Sequence, residues 1–272
     1  MKQPKVLVAC PTYKGKDYCV DEWVDHIKNL KYTNYDILLV DNTADEGEHA
    51  KWLSDTYGIE VIHHYRKDTA LNQMMAECNE IIRKRVIDEG YDYLMSIESD
   101  VFPPKNIIPK LMNHKKLVVS GMYKIGYGRM NFPLIHIAEP TNVITEDGSG
   151  KVEGRIRQLW WDEIMNFVDG EVNQVHGCGI GCALIHNYIL KDTSFRVEKG
   201  NSTHADSIFY MDLWNKEIPV FLDTSIMCKH KNRDWGKVWK ERNEDFDIKY
   251  KFKIDKKTRR LTISQEKHNG SE

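Results

Sequence analysis

Val6-Leu7-Val8-Ala9-Cys10-Pro11-Thr12-Tyr13 is the stretch from which the rest of the chain can be read. A short apolar run halted by a proline is the pattern of a strand buried on both faces. Val20, Trp23, Val24, Ile27 and Leu30 then recur at helical spacing, which predicts an amphipathic helix. A second strand is predicted over 35–40, ending at Asp41-Asn42-Thr43, followed by a helix over 46–57 and a third strand over 59–63. Leu71, Met74, Met75, Cys78 and Ile82 mark a longer helix closed by Gly90. The run 93–97 is a fourth strand, followed by Glu98-Ser99-Asp100 and the breaker Pro103-Pro104.

Strands and helices alternating through short links imply right-handed βαβ units and a mostly parallel sheet. Ligands of such sheets sit beyond the carboxyl ends of the strands. Three polar clusters fall at those ends: Pro11-Thr12-Tyr13, Asp41-Asn42 and Glu98-Ser99-Asp100. The second half is less regular. Strands are predicted over 117–122, 172–176, 182–185 and 220–222, helices over 160–167 and 207–215, and a loop or hairpin excursion over 124–157. Alternating Lys-Tyr-Lys-Phe-Lys-Ile predicts a strand in the charged tail, and 249–260 holds seven basic residues against one acid.

The chain has 272 residues with 39 basic and 41 acidic side chains, a formal charge of −2, so net charge gives no argument for a nucleic-acid or membrane partner. Apolar content of 41 % and charged content of 29 % are globular values that exclude a disordered or fibrous chain. No apolar run approaches the roughly 20 residues that span a bilayer, and Val6 to Cys10 is too short for a secretory core. These features predict a soluble, cytoplasmic protein. Its six cysteines then imply reduced thiols. Cys178, Cys182, Cys228 and His230 can be read as a zinc set, although small free cysteines packed inside are the more ordinary outcome.

Two carboxylates one residue apart after a buried strand, Glu98 and Asp100, can present oxygens to a hard divalent cation such as Mg²⁺ or Mn²⁺, or merely begin a solvated loop. Asp41 can accept N–H bonds from a base or the 2′-OH of a ribose, or cap a helix or form an Asx-turn. Thr12 and Tyr13 can bond to or stack on the same base, or form an ordinary turn. No Gly-x-Gly-x-x-Gly follows the first strand and no Walker-type Gly-Lys-Ser/Thr occurs, which argues against dinucleotide redox and P-loop chemistry. A diphosphate here would need a metal at Asp100. Trp160-Trp161 can stack on a sugar or fill the core, and Lys124, Tyr127 and Arg129 can hold phosphate or acceptor or form a solvated loop.

The blocks 6–13, 37–42 and 98–100 together resemble the nucleotide-binding half of GT-A glycosyltransferases, especially family 2-like members. The resemblance implies an α/β GT-A fold, a Rossmann-like nucleotide-binding half with a mostly parallel central sheet followed by an acceptor half. It implies that Pro11, Thr12, Tyr13, Asp41, Glu98, Ser99 and Asp100 bind a nucleotide sugar, with Glu98 in place of the first acid of a DXD motif. Val175-His176-Gly177-Cys178-Gly179-Ile180-Gly181-Cys182 is similar to the family's Gly-rich acceptor-side segment. His204-Ala205-Asp206 stands where the family has Glu-Asp, and His230 follows Asp206 by 24 residues. The resemblance therefore implies a Mn²⁺ or Mg²⁺ ion held by Asp100 and His230, with Asp206 as general base. An inverting displacement needs only that base.

The resulting expectation is a GT-A domain over 1–240 and a basic extension over 241–272. It would move a sugar from a nucleotide sugar, with UDP the expected nucleotide, to a hydroxyl on a glycan, a lipid-linked sugar, a small molecule or a modified DNA base. The rivals are a nucleotidyltransferase, of whose phosphate loop Lys14-Gly15-Lys16 is an echo, and a non-catalytic nucleic-acid-binding protein using the basic tail.

Overall fold

A computed structural model describes residues 3–127, 130–143, 151–198, 204–231, 250–254 and 261–265. The first strand, β1 (Val6–Thr12), lies in the sheet interior with Val6, Val8 and Cys10 in one apolar cluster and Leu7 and Ala9 in another. Successive side chains of a strand leave on opposite faces, so one apolar run feeds two cores. Helix α1 (Asp17–Lys28) turns Cys19, Val20, Trp23, Val24 and Ile27 into the first core. Then come β2 (Tyr35–Asp41), α2 (Glu48–Tyr57) and β3 (Glu60–His63). Helix α3 (Leu71–Asp88) supplies Met74, Ala76, Cys78, Ile82 and Val86 to the second core. Its buried stripe begins at Met74, since Leu71 is 75 % exposed. Gly90 closes the helix at φ +67°, letting the Tyr91 N–H reach the Val86 carbonyl at 3.0 Å.

After β4 (Tyr93–Ile97) come β5 (Val101–Phe102), α4 (Ile107–Met112) and β6 (Val118–Tyr127). The excursion is strand-rich: β7 (Met130–Pro133) forms a hairpin with β6, and β8 (Ile135–Val143) pairs with β9 (Lys151–Gln158). The remainder is α5 (Trp161–Phe167), β10 (Val172–Val175), β11 (Gly177–Cys178), β12 (Cys182–His186), α6 (Asn187–Asp192), α7 (Ala205–Asn215) and β13 (Val220–His230). The last strand runs well past the predicted 220–222. Its pairing with β6 shifts register between Asp223 and Met227, a bulge that lets it continue through a polar stretch.

The central sheet runs β10-β13-β6-β12-β4-β1-β2-β3, with β5 on β13 and β7 on β6. Pairs β1–β2, β1–β4, β2–β3 and β6–β13 are parallel, and β12 lies antiparallel between β4 and β6. The protein thus has the expected α/β, GT-A-like architecture. Between β1 and β4 the strand order reverses, so a ligand crevice belongs at their carboxyl ends. Two compact units divide the chain, Met1–Lys231 and Asn232–Glu272. In the second, β14 (Tyr250–Ile254) lies where the alternation predicted a strand, paired antiparallel with β15 (Leu261–Gln265). Among the described residues no helix is long and apolar enough to cross a membrane.

Trp23 is fully buried between α1 and the sheet. Trp23→Ala should cost about 4 kcal/mol of stability, read as a lower urea midpoint.

Candidate active site

The ends of β1, β2 and β4 meet. Thr12 is in register with Asp41, and its hydroxyl lies 3.3 Å from the Ser99 hydroxyl. Thr12 and Ser99 are buried, Pro11 is half-buried, and Tyr13 is exposed on the rim. All three polar clusters therefore meet at one end of the sheet.

Asp100 lies there, 1 % exposed. His230 reaches it because the end of β13 pairs with β5, placing His230 opposite Val101, and the Lys231 N–H donates to the Asp100 carbonyl at 2.8 Å. His230 Nε2 stands 3.3 Å from Asp100 Oδ2, while Nδ1 donates to the Lys124 carbonyl at 2.8 Å. That carbonyl fixes the ring with Nε2 turned to the carboxylate, the orientation in which a deprotonated Nε2 could ligate a metal. The Lys124 side chain points to solvent. Donor atoms of Glu98, Asp100 and His230 all lie within 4.8 Å of one another. The two carboxylates suit Mn²⁺ or Mg²⁺ and the imidazole suits a transition metal, so the residues fit the implied ion better as Mn²⁺ than as Mg²⁺. The zinc alternative is not assembled: His230 joins these acids, and all six cysteines are buried and free.

Lys16, which ends a single 3₁₀ turn (Lys14–Lys16) after β1, places its ammonium on Asp100 Oδ2. Burial works against the Lys16 charge, but contact with Asp100 outweighs it and raises the lysine above its ordinary range. Burial likewise opposes the Asp100 charge, and His230 and Lys16 reverse it, holding the carboxyl below its usual value. Burial, followed by the Asp100 charge, pushes half-buried Glu98 up to about 7. His230 is raised despite burial, because Asp100 accepts from it and attracts it.

The Gly-rich segment fits under this group. Glu98 N–H donates to the Gly181 carbonyl at 3.1 Å, and Gly181 N–H donates to the buried Tyr123 hydroxyl at 3.0 Å. A Cβ on Gly181 would sit 2.7 Å from Glu98 Oε2 and 2.8 Å from the Tyr123 ring, and one on Gly179 only 2.2 Å from the Tyr123 hydroxyl. Both positions admit only glycine without displacing the site.

Asp41 is fully buried at the end of β2. Its Oδ1 accepts from the Thr43 hydroxyl at 2.7 Å and from His49 Nδ1 at 2.8 Å, whereas Oδ2 has no partner among the described residues. His49 donates its other nitrogen to Asp17 at 2.9 Å and stacks on Trp52. Burial opposes the charge on His49, but a carboxylate on each nitrogen outweighs it and raises its pKa. Asp45 and His63 approach Asp41 closely enough to suggest a second cation site. There Asp45 is engaged by the Gly47 and His49 N–H groups and His63 Nε2 by the Thr43 carbonyl, which accounts for their positions.

Asp206 lies in the first turn of α7, half-buried, accepting from the Ser207 N–H at 2.8 Å. The cap position of the helix is His204. Asp206 borders a cavity of about 180 Å³ with His136, His176, Cys178 and Tyr210, and its charge helps to raise Glu98 and Tyr123. Trp160 is 72 % exposed, so it is not core. The side chains of Trp161 and Tyr127, and Arg129 altogether, lie outside the described residues. Lys16, His49 and Tyr123 are the site residues that sequence reasoning did not identify; the Lys14-Gly15-Lys16 echo was the available signal for the first.

The fold and the crevice together define a GT-A-like α/β protein with an acidic, histidine-completed pocket at the switch point of its sheet. No family model matches the sequence, and no curated protein does. Among solved structures the chain is similar to Staphylococcus aureus TarS, at 12 % identity and a TM-score of 0.50, covering 89 % of this chain and 39 % of that one. It also resembles S. aureus TarS residues 1–349 in complex with UDP-GlcNAc, at 9 % identity and a TM-score of 0.49, covering 84 % of this chain and 59 % of that one. The chain thus spans less than two thirds of these structures, and the likeness extends to the fold alone.

His49→Ala should destabilise the protein by about 3 kcal/mol near pH 6, since it strips a buried carboxylate of its partner. A raised folded pKa contributes stability below the unfolded value near 6.5 that is lost as pH rises through the folded value. The penalty in urea denaturation should therefore shrink between pH 6 and pH 9.

Proposed function

We propose that the protein is a metal-dependent glycosyltransferase that moves a sugar from a nucleotide sugar, with UDP the expected nucleotide, to a hydroxyl acceptor. The observation that carries this reading is the meeting of Glu98, Asp100 and His230 at the carboxyl ends of the sheet, beside Asp41 and Thr12. A divalent cation held there would neutralise a diphosphate leaving group. Asp100 and His230 are its proposed ligands, with Glu98 beside them. Asp41 is the proposed partner of an N–H of the base or a ribose hydroxyl, which requires its buried Oδ2 to be uncovered, and Thr12, Ser99 and the exposed Tyr13 flank it. Asp206, at the mouth of the neighbouring cavity, takes the proton of the acceptor hydroxyl as general base while the glycosidic bond to the diphosphate breaks. The expected outcome at the anomeric centre is inversion.

Calorimetry with UDP and Mn²⁺ separates these roles. Asp100→Ala should lose the metal-dependent part of UDP binding, whereas Asp206→Asn should keep it and lose transfer by about 10²–10⁴-fold. Metal-dependent UDP binding left unchanged by Asp100→Ala would refute the metal assignment. A thermal-shift screen of UDP-, GDP-, ADP- and dTDP-sugars with and without Mn²⁺ should single out the UDP-sugars, since a ligand of the native state raises its melting temperature.

Because Glu98 titrates near 7 and His230 above its ordinary value, both must shed protons to bind a cation. Mn²⁺ affinity, followed by the paramagnetic signal of the free ion, should therefore rise steadily from pH 6 to pH 8. A flat profile would exclude Glu98 and His230 as ligands.

A further inference from the structure

Lys16 is the group in the crevice that this chemistry leaves without a task. Its ammonium rests on Asp100 Oδ2, the oxygen that also faces His230 Nε2 at 3.3 Å. The Lys16 side chain is 24 % exposed, so the contact is made largely out of water, with Glu98 close enough to add its own attraction. The backbone beneath is pinned: the Lys16 N–H donates to the Tyr13 carbonyl at 2.8 Å. Any rearrangement is therefore left to the four-carbon stem. The neighbouring cations are committed elsewhere, since Lys229 and Lys231 both pair with Glu22 across the outer surface of α1.

A cation bound between Asp100 Oδ2 and His230 Nε2 competes with an ammonium on that same oxygen, because like charges about 4 Å apart in a half-buried pocket repel. An ammonium driven off Asp100 has an obvious destination if a diphosphate lies at the ends of β1 and β4. We propose that Lys16 is the resident counter-ion of Asp100 in the free protein and shifts its ammonium onto the diphosphate oxygens when cation and nucleotide load together. The inference rests on the nucleotide-sugar reading and assigns a phosphate-binding residue within it. Lys16 suppresses binding of the cation alone and promotes binding of the diphosphate, so the full effect of either ligand is felt only with the other.

The test is a pair of affinities with opposite signs. Mn²⁺ alone is titrated by electron paramagnetic resonance, and UDP at saturating Mn²⁺ by calorimetry, for the wild-type chain, Lys16→Met and Lys16→Gln, with uridine as the phosphate-free control. Removing the ammonium should tighten Mn²⁺ by about tenfold or more, weaken UDP by a similar factor, and leave uridine unchanged. Lys16→Arg should keep the weak Mn²⁺ binding of the wild type. Thermal melting confirms which variants are folded, and either neutral variant suffices. Unchanged or weaker Mn²⁺ binding in the folded neutral variants would overturn the counter-ion role, and unchanged UDP binding would overturn the transfer to phosphate. Should the wild type bind Mn²⁺ but no UDP in any arm, the nucleotide reading itself fails and the phosphate role with it, while the Mn²⁺ arm still decides whether Lys16 competes for Asp100.

Discussion

A carboxylate with 1 % of its surface exposed cannot remain ionised without cationic or hydrogen-bonding partners. Asp100 is in that position, and the chain supplies its partners from both ends: Lys16 just after the first strand and His230 at the end of the last strand of the first unit. The β5–β13 pairing that sets His230 opposite Val101, and the bond from the Lys231 N–H to the Asp100 carbonyl, are sheet contacts and site contacts at once. Losing either would leave a buried anion underpaired. The site is in this sense a consequence of closing the sheet.

Glu98 extends the constraint. It shares the pocket with an ionised Asp100 and is raised toward neutrality by burial and by that neighbour. Near pH 7 the triad therefore carries less negative charge than its composition suggests, and a cation would draw the missing ionisation out of it. Tyr123 and the glycines of 177–181 hold this geometry. The ring packs edge-on to His230, its hydroxyl accepts from Gly181, and no Cβ fits at Gly179 or Gly181. The Gly-rich segment, which the sequence reading assigned to the acceptor side, also shapes the wall behind Glu98.

The first half of the fold was legible because its signals are local. Three of the four apolar runs end at a proline or an acid, Pro11, Asp41 and Glu98, and the helices between carry their stripes at regular spacing. The second half resisted for physical reasons that no short window records. Asp223 looked like the end of a strand after 222, yet it is buried in the strand, its carboxylate paired with His114 at 2.8 Å and with the N–H of Ser225 at 2.9 Å. With that charge satisfied, β13 continues to His230. Helix α4, six residues long with a proline inside, is too short to show a period. At the site, the acids were readable as types, but Lys16, His49 and Tyr123 acquire meaning only through partners 84, 8 and 58 residues away.

Strand order also gives the crevice a chemical polarity. At the end of β2 stands an acceptor lacking a donor, Asp41 Oδ2, whose other oxygen is occupied by Thr43 and by a histidine wedged between two carboxylates. At the end of β4 stand Glu98 and Asp100, joined by His230 from the end of β13, with one lysine already on Asp100. A simple anion such as free phosphate would find a partner at the second end and leave the first unsatisfied. A ligand with an N–H edge at one extremity and anionic oxygens at the other would answer both, since the orphan carboxylate oxygen needs a donor and the lysine and a cation need acceptors. Because β1 lies between β2 and β4, the two ends are held apart by the width of a strand, and Thr12 fills the gap. Under the proposed function, this polarity would suit a nucleoside diphosphate better than a small inorganic ion.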